Sequence, residues 1–200
     1  MLRQQNPNHR QTRDARVLQI NSQRSPRVHA TALQLAHENN IEVICVQEPW
    51  IGGEEENRKT QTHPGFNIYA PVSDWNTGPR TMTYIKRGLS ASQKMLESEE
   101  HPDLCIITLG TSCGPIDVIN VYNAGPGSVR TNEAVELLMK YQSQGNALIC
   151  GDFNLHHRYW DPNATRDEET AERLVEWLTD QAVTLLTDPM VPTRGRRCWI

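Results

Sequence analysis

The segment Gly151-Asp152-Phe153-Asn154-Leu155-His156-His157 sets a carboxylate, an amide and two imidazoles in one short window. It follows Asn146-Ala147-Leu148-Ile149-Cys150, a short apolar run that reads as a buried strand. Gly151 marks a sharp turn or a close backbone approach. Side chains just past the end of a buried strand are held rigidly yet remain reachable, and Asp152, Asn154 and His156 alternate, so they can converge on one spot. A local Asp/Asn turn would account for a single Gly-Asp pair, but not for the whole series.

Three other strand-like runs end in the same kind of chemistry. Ile41 to Val46 runs into Gln47-Glu48-Pro49-Trp50, and Pro49 cannot continue a ladder, so Glu48 stands at the strand end. Val17 to Ile20 ends in Asn21 and Ser22, and Ile116 to Tyr122 runs into Asn123-Ala124-Gly125-Pro126-Gly127. Asn21, Glu48, Tyr122, Asn123, Asp152 and Asn154 together form a set suited to a hard cation and a phosphate. Mg²⁺ takes oxygen ligands and keeps several waters, so one or two carboxylates suffice. Phosphodiester cleavage needs such a cation, a deprotonated water and donors to the transition state.

On these residues the chain resembles the endonuclease/exonuclease/phosphatase superfamily. The resemblance is carried by LQIN (Asn21), VQEPW (Glu48), VYNAG (Tyr122, Asn123) and GDFNLHH (Asp152, Asn154), and it spans residues 17–200. The QEPW and GDFNLHHRYWDP strings are similar to the apurinic-like endonuclease domain of non-LTR retrotransposon polyproteins. The resemblance implies an α+β fold, a four-layer α/β/β/α sandwich of two packed mixed sheets. It implies a metal-dependent phosphodiester hydrolase that nicks DNA, with Mg²⁺ or Mn²⁺ held by Glu48 and Asn21. Asp152 would orient or deprotonate the water, while Asn154, Tyr122 and Asn123 would contact the phosphate. The implied partners are DNA and a reverse transcriptase domain in a longer element, and the implied location is intracellular, nuclear for a functional element. Family members continue with a strand bearing an Asp and with a final Asp-His pair. Here the sequence ends at Cys198-Trp199-Ile200, so the expectation is a domain incomplete at its C-terminus that turns over very slowly or not at all. Two alternatives stay open: an inactive retroelement remnant, and a relative acting on another phosphoester, since one fold hosts many substrates.

Composition adds bounds rather than chemistry. Two hundred residues suit one domain with a sizeable core, and the formal net charge of −4 offers no global field for nucleic acid. Basic patches are local: Arg3, Arg10, Arg13 and Arg16 in a polar leader over residues 1–16, and Arg194, Arg196 and Arg197 near the end. Five cysteines without metal spacing or a signal peptide favour a reducing compartment. No run approaches the roughly 20 apolar residues of a membrane helix, so no membrane partner is expected. A zinc site at His156, His157 and Asp161 is disfavoured, because adjacent side chains on an extended segment point in opposite directions. Trp160 is expected to anchor this loop on the core.

The elements that must position these groups follow from periodicity. Ser25-Pro26 caps and opens a helix whose expected apolar face is Val28, Ala32 and Leu35, with Asn39-Asn40 as its stop. Residues 52–61 read as an exposed loop, and 66–70, 81–86, 104–109 and 183–186 as strands. Helices are expected over 132–141, with Val135, Leu138 and Met139 apolar, and over 168–181, burying Leu174, Trp177 and Leu178. Strands and helices mixed in this order suggest two packed sheets flanked by helices.

Overall fold

The structure, a computed structural model, describes residues 15–95, 100–143 and 145–190. Of the basic patches, Arg3, Arg10, Arg13, Arg194, Arg196 and Arg197 lie outside these residues, as does Cys198. The chain builds β1 (Val17–Asn21), α1 (Pro26–Glu38), β2 (Val43–Gln47), β3 (Ile51–Gly52), β4 (Lys59–Thr60), β5 (Phe66–Tyr69), β6 (Thr81–Lys86) and β7 (Ala91–Lys94). It continues with β8 (Leu104–Thr111), β9 (Gly114–Tyr122), α2 (Glu133–Lys140), β10 (Asn146–Asp152) and α3 (Glu169–Asp180).

Two mixed sheets result, ordered β1-β2-β6-β5 and β10-β9-β8-β7. In each, one parallel pair, β1 with β2 and β10 with β9, is extended by antiparallel neighbours. Between the sheets lie Val43, Cys45, Ile85, Cys105, Ile107 and Val118. The opposite side chains of the same strands face helices: Ile44, Val46, Met82 and Tyr84 pack with Leu33 and Ala36 of α1. Ile106, Ile119 and Val121 pack with Val135 and Leu138 of α2 and Leu174 of α3. This is the expected four-layer α/β/β/α sandwich. Strands covered on both faces read as continuous apolar runs, which is why β2 is buried at every position.

A polar bridge crosses the apolar interlayer just below the strand ends. Gln47 donates its amide to Asn120 Oδ1 at 2.7 Å, and Asn120 Nδ2 donates to Met82 O at 3.1 Å and Thr83 Oγ1 at 3.3 Å. A fully satisfied buried network of this kind specifies one sheet-on-sheet register.

Three local expectations change, and one strand that the sequence did not mark appears. The buried face of α1 is His29, Ala32, Leu33 and Ala36, whereas Val28 and Leu35 are exposed. The helix is rotated because His29, which pattern reading counts as polar, spends its ring against Tyr84 at 5.5 Å. Residues 52–61 are not a plain loop: β3 and β4 pair there, and Thr60 donates to Trp50 O at 2.7 Å. The polar β7 carries no apolar signal and is held by its ladder to β8. Residues 183–186 form no strand, since no ladder partner adjoins them among the described residues. They leave α3 through Ala182 in the left-handed region, and Leu185 packs against the α2–α3 layer.

Candidate active site

All four chemistry-bearing strand ends lie at one end of the sandwich. The parallel pairs send the carboxyl ends of β1 and β2, and of β9 and β10, the same way, which is where open sheets place their sites. Two side-chain hydrogen bonds then join the sheets. Asn21 Nδ2 donates to Asp152 Oδ2 at 2.8 Å, and the Tyr122 hydroxyl donates to Glu48 Oε1 at 2.9 Å. Asn21, Glu48, Tyr122 and Asp152 are all half-buried, so the cluster is held by the scaffold and open to solvent.

Local sequence explains each placement. Gly151 is needed because a Cβ there would meet the Val121 carbonyl oxygen at 2.3 Å, so only glycine lets β10 lie this close to β9 and aim Asp152. Glu48 sits at φ 46°, a left-handed conformation that costs a non-glycine residue on the order of 1–2 kcal/mol. It is held there by Glu48 N donating to Arg80 O at 2.8 Å and by Ser22 Oγ donating to Glu48 O at 2.6 Å. Asn154 is also left-handed, at φ 48°, a conformation asparagine tolerates, and its amide donates to Asn123 O at 2.8 Å. Asn123 N in turn donates to Asp152 O at 2.8 Å, so the loops after β9 and β10 brace one another. Strain of this kind, stored at strand ends and over-determined by its surroundings, is common at functional sites.

The six singled-out residues thus occupy one neighbourhood in two tiers. Asn21, Glu48, Tyr122 and Asp152 are linked across the cleft. Asn123 is fully buried and spends its amide on Asn132 Oδ1 at 3.0 Å, and Asn154 spends its own on backbone. Burial, and then the bond to Glu48, push the Tyr122 phenol up to about 12 against a smaller opposite pull from Arg80, so it is a donor at neutral pH. Sequence reading passed over Arg80 and Asp103. Arg80 donates from Nε to Asp103 Oδ1 at 2.6 Å and closes a second bond to Oδ2, while its guanidinium lies 4.9 Å from the centre of the Tyr122 ring. Burial opposes the Arg80 charge, but Asp103 more than offsets this and holds it above its ordinary value. The only signal available was a charged residue just before each of two apolar strands, which is too common to single out.

The donor set fits a hard divalent cation. Glu48 accepts one hydrogen bond on Oε1, and among the described residues Oε2 takes none, so this carboxylate has an oxygen to offer an ion. Asn21 Oδ1 accepts from Gln23 N at 2.9 Å, so this amide reaches Asp152 through its nitrogen and retains one carbonyl lone pair. The histidines do otherwise. Trp160 is buried, as expected, with its indole donating to Leu155 O at 3.0 Å. His157 Nδ1 accepts from Tyr159 N at 2.9 Å, so the ring proton of the neutral imidazole is on Nε2, 3.3 Å from Glu172. His157, Asp167 and Glu172 are close enough to share an ion, but Nε2 has no lone pair to offer in this tautomer, and the group latches the loop to α3. Asp161 folds into its own turn, accepting from Asn163 N at 3.1 Å.

The model of the family described as endonuclease-reverse transcriptase matches residues 116–199. No curated protein sequence matches the chain. Among solved structures, the endonuclease domain of TRAS1, a telomere-specific non-LTR retrotransposon, is similar with a TM-score of 0.68 at 18% identity, over 92% of this chain and 80% of that one. The AP endonuclease LMAP from Leishmania major gives 0.57 at 15% identity, over 82% of this chain and 65% of its own. The Xenopus laevis APE2 catalytic domain gives 0.54 at 18% identity, over 82% of this chain and 66% of its own. The chain therefore spans just under two thirds of the second and third of these structures. At such identities the likeness is one of fold.

Proposed function

We propose that this chain, whose fold is that of the endonuclease/exonuclease/phosphatase superfamily, is a divalent-metal-dependent phosphodiester hydrolase that nicks DNA. One observation carries the reading: the hydrogen bonds Asn21–Asp152 and Tyr122–Glu48 gather two carboxylates, an amide and a phenol from four strand ends into one solvent-reachable cleft. The superfamily fold and the family match support nuclease chemistry in general, and the metal, the DNA substrate and the site roles are our assignment.

Glu48 is the residue that would hold Mg²⁺ or Mn²⁺, with Asn21 beside it. When bound, the cation supplies charge neutralisation on a phosphate oxygen. Asp152, fixed by the Asn21 amide and by β10, accepts the proton of the attacking water as a general base. Tyr122, kept protonated by burial and by Glu48, gives its one hydroxyl proton to Glu48 Oε1 and so sets the carboxylate edge beside which the phosphate would lie. Asn123 and Asn154 keep the two loops at a fixed separation and so position Tyr122 and Asp152, with Asn154 close enough in the chain to reach the phosphate once it rotates off the Asn123 carbonyl. The net charge of −4 leaves attraction of DNA to local cations such as exposed Arg24, whose backbone N–H donates to Glu48 O at 2.8 Å. A reverse transcriptase domain as partner in a longer polypeptide belongs to the same proposal, supported by the match to a family described as endonuclease-reverse transcriptase, and so does a nuclear location, where chromosomal DNA lies.

The test is plasmid nicking. The chain should convert supercoiled DNA to the open circle slowly in Mg²⁺ and not at all in EDTA. Glu48→Gln and Asp152→Ala should each lower the rate by about 10² to 10³, the usual loss for a group acting at the reacting centre. Nicking that persists in EDTA, or in Asp152→Ala, refutes the assignment.

A further inference from the structure

We infer that Arg80 and Asp103 are positioning residues that aim the Glu48 carboxylate through a closed ring of hydrogen bonds spanning both sheets. The inference deepens the metal-site reading above and rests on it.

The ring has four members, one at each of four strand ends. Glu48 follows β2, and its N–H donates to Arg80 O at 2.8 Å. Arg80 precedes β6, and its guanidinium grips both oxygens of Asp103. Asp103 precedes β8, and its carbonyl accepts from Tyr122 N at 2.9 Å. Tyr122 ends β9, and its hydroxyl returns to Glu48 Oε1 at 2.9 Å. Two members thus belong to each sheet. The guanidinium also lies over the Tyr122 ring, 4.9 Å from its centre, so the phenol is held on one face as well as at its backbone.

Sheet packing alone does not explain such a pair. Asp103 is fully buried and the Arg80 side chain is 14% exposed, and a buried ion pair is often matched or bettered in stability by apolar residues of the same volume. What the pair supplies is direction. A two-pronged Arg–carboxylate contact fixes the plane of the guanidinium, the guanidinium fixes the ring, and the ring fixes the carboxylate. Glu48 is where that direction ends, since its backbone N–H is held by Arg80 O and its Oε1 by the Tyr122 hydroxyl.

Manganese binding separates aiming from charge. Arg80 is a cation beside Glu48, so on electrostatics alone Arg80→Met should tighten Mn²⁺ binding. Lost aim should weaken it. In a titration of the full chain followed by the EPR signal of free Mn²⁺, Arg80→Met should bind about tenfold more weakly. Arg80→Lys keeps the charge without the fork or the flat face, and should recover part of the loss. Tyr122→Phe should weaken binding as well, and Arg80→Met added to Tyr122→Phe should weaken it no further, because Arg80 acts through the phenol. The same lack of additivity should appear in the kcat of plasmid nicking. Equal or tighter Mn²⁺ binding by folded Arg80→Met overturns the inference, as does an additive double variant or a defect confined to KM for DNA. If Arg80→Met fails to give a cooperative melt, Arg80→Lys and Tyr122→Phe carry the comparison, since Asp103 keeps a cationic partner in both. A parent chain that binds Mn²⁺ and nicks nothing removes the hydrolase reading and leaves the ring to the titration, while a parent that binds no Mn²⁺ overturns both.

Discussion

Acid should weaken this fold through one buried imidazole. His29 has no exposed surface, its Nδ1 accepts from Trp50 N at 3.2 Å, and its Nε2 finds no acceptor among the described residues. Burial lowers its pKa from 6.5 to about 4. The folded value is below the unfolded one, so the unfolded chain binds the proton more readily between those two values. Stability is therefore complete above pH 6.5 and is lost as pH falls toward 4. For one group with these two values, the linkage relation predicts a loss of about 2 kcal/mol by pH 5 and about 3 kcal/mol by pH 4. Against a typical total of about 5–15 kcal/mol, that is a large fraction. Protonation also turns Nδ1 from acceptor to donor, so it opposes the Trp50 N–H and loosens the turn just after Glu48. Urea unfolding followed by tryptophan fluorescence at pH 8, 6, 5 and 4 measures this in the parent and in His29→Gln, which keeps a polar group but does not titrate. Carboxylates that titrate in this range do so in both proteins, and their effects cancel in the difference. The variant should be less stable at pH 8 and should lose about 2 kcal/mol less than the parent between pH 8 and 5. Parallel pH profiles would refute the reasoning.

Two further outcomes follow from packing and charge. Gly151→Ala should destabilise the chain by about 3 kcal/mol, because the new methyl meets the Val121 carbonyl at 2.3 Å and β10 must shift; an unchanged urea midpoint would show that the β9–β10 approach is not rigid. Asp117 is buried against Thr108, Tyr141, Ser143 and Lys94, and although burial pushes its carboxyl up, the hydrogen bonds prevail and hold it at about 2. Its folded value lies below the ordinary 3.8, so its contribution is present above that pH and fades toward 2; Asp117→Asn should flatten the stability profile there, and an unaltered acid limb would contradict this.

Much of the site was legible because its signals are local. A strand that must stop at Pro49, a glycine that admits close approach at 151, and a Ser25-Pro26 helix start are properties of a few adjacent residues, and the structure places each at its element boundary. The strand ends carrying Asn21, Glu48, Tyr122 and Asp152 could be named for the same reason. Their convergence could not be read from periodicity, because it depends on two parallel pairings and on a sheet-on-sheet register locked by Gln47 and Asn120, which are 73 residues apart. His29 and residues 183–186 misled for a related cause: pattern counts polarity one residue at a time, whereas burial and ladder membership depend on which neighbour the fold supplies. Arg80 and Asp103 show the limit most clearly. Each looks like an ordinary charged residue before a strand, and only the tertiary structure, by bringing four strand ends from two sheets within hydrogen-bond reach, turns them into one ring around Glu48.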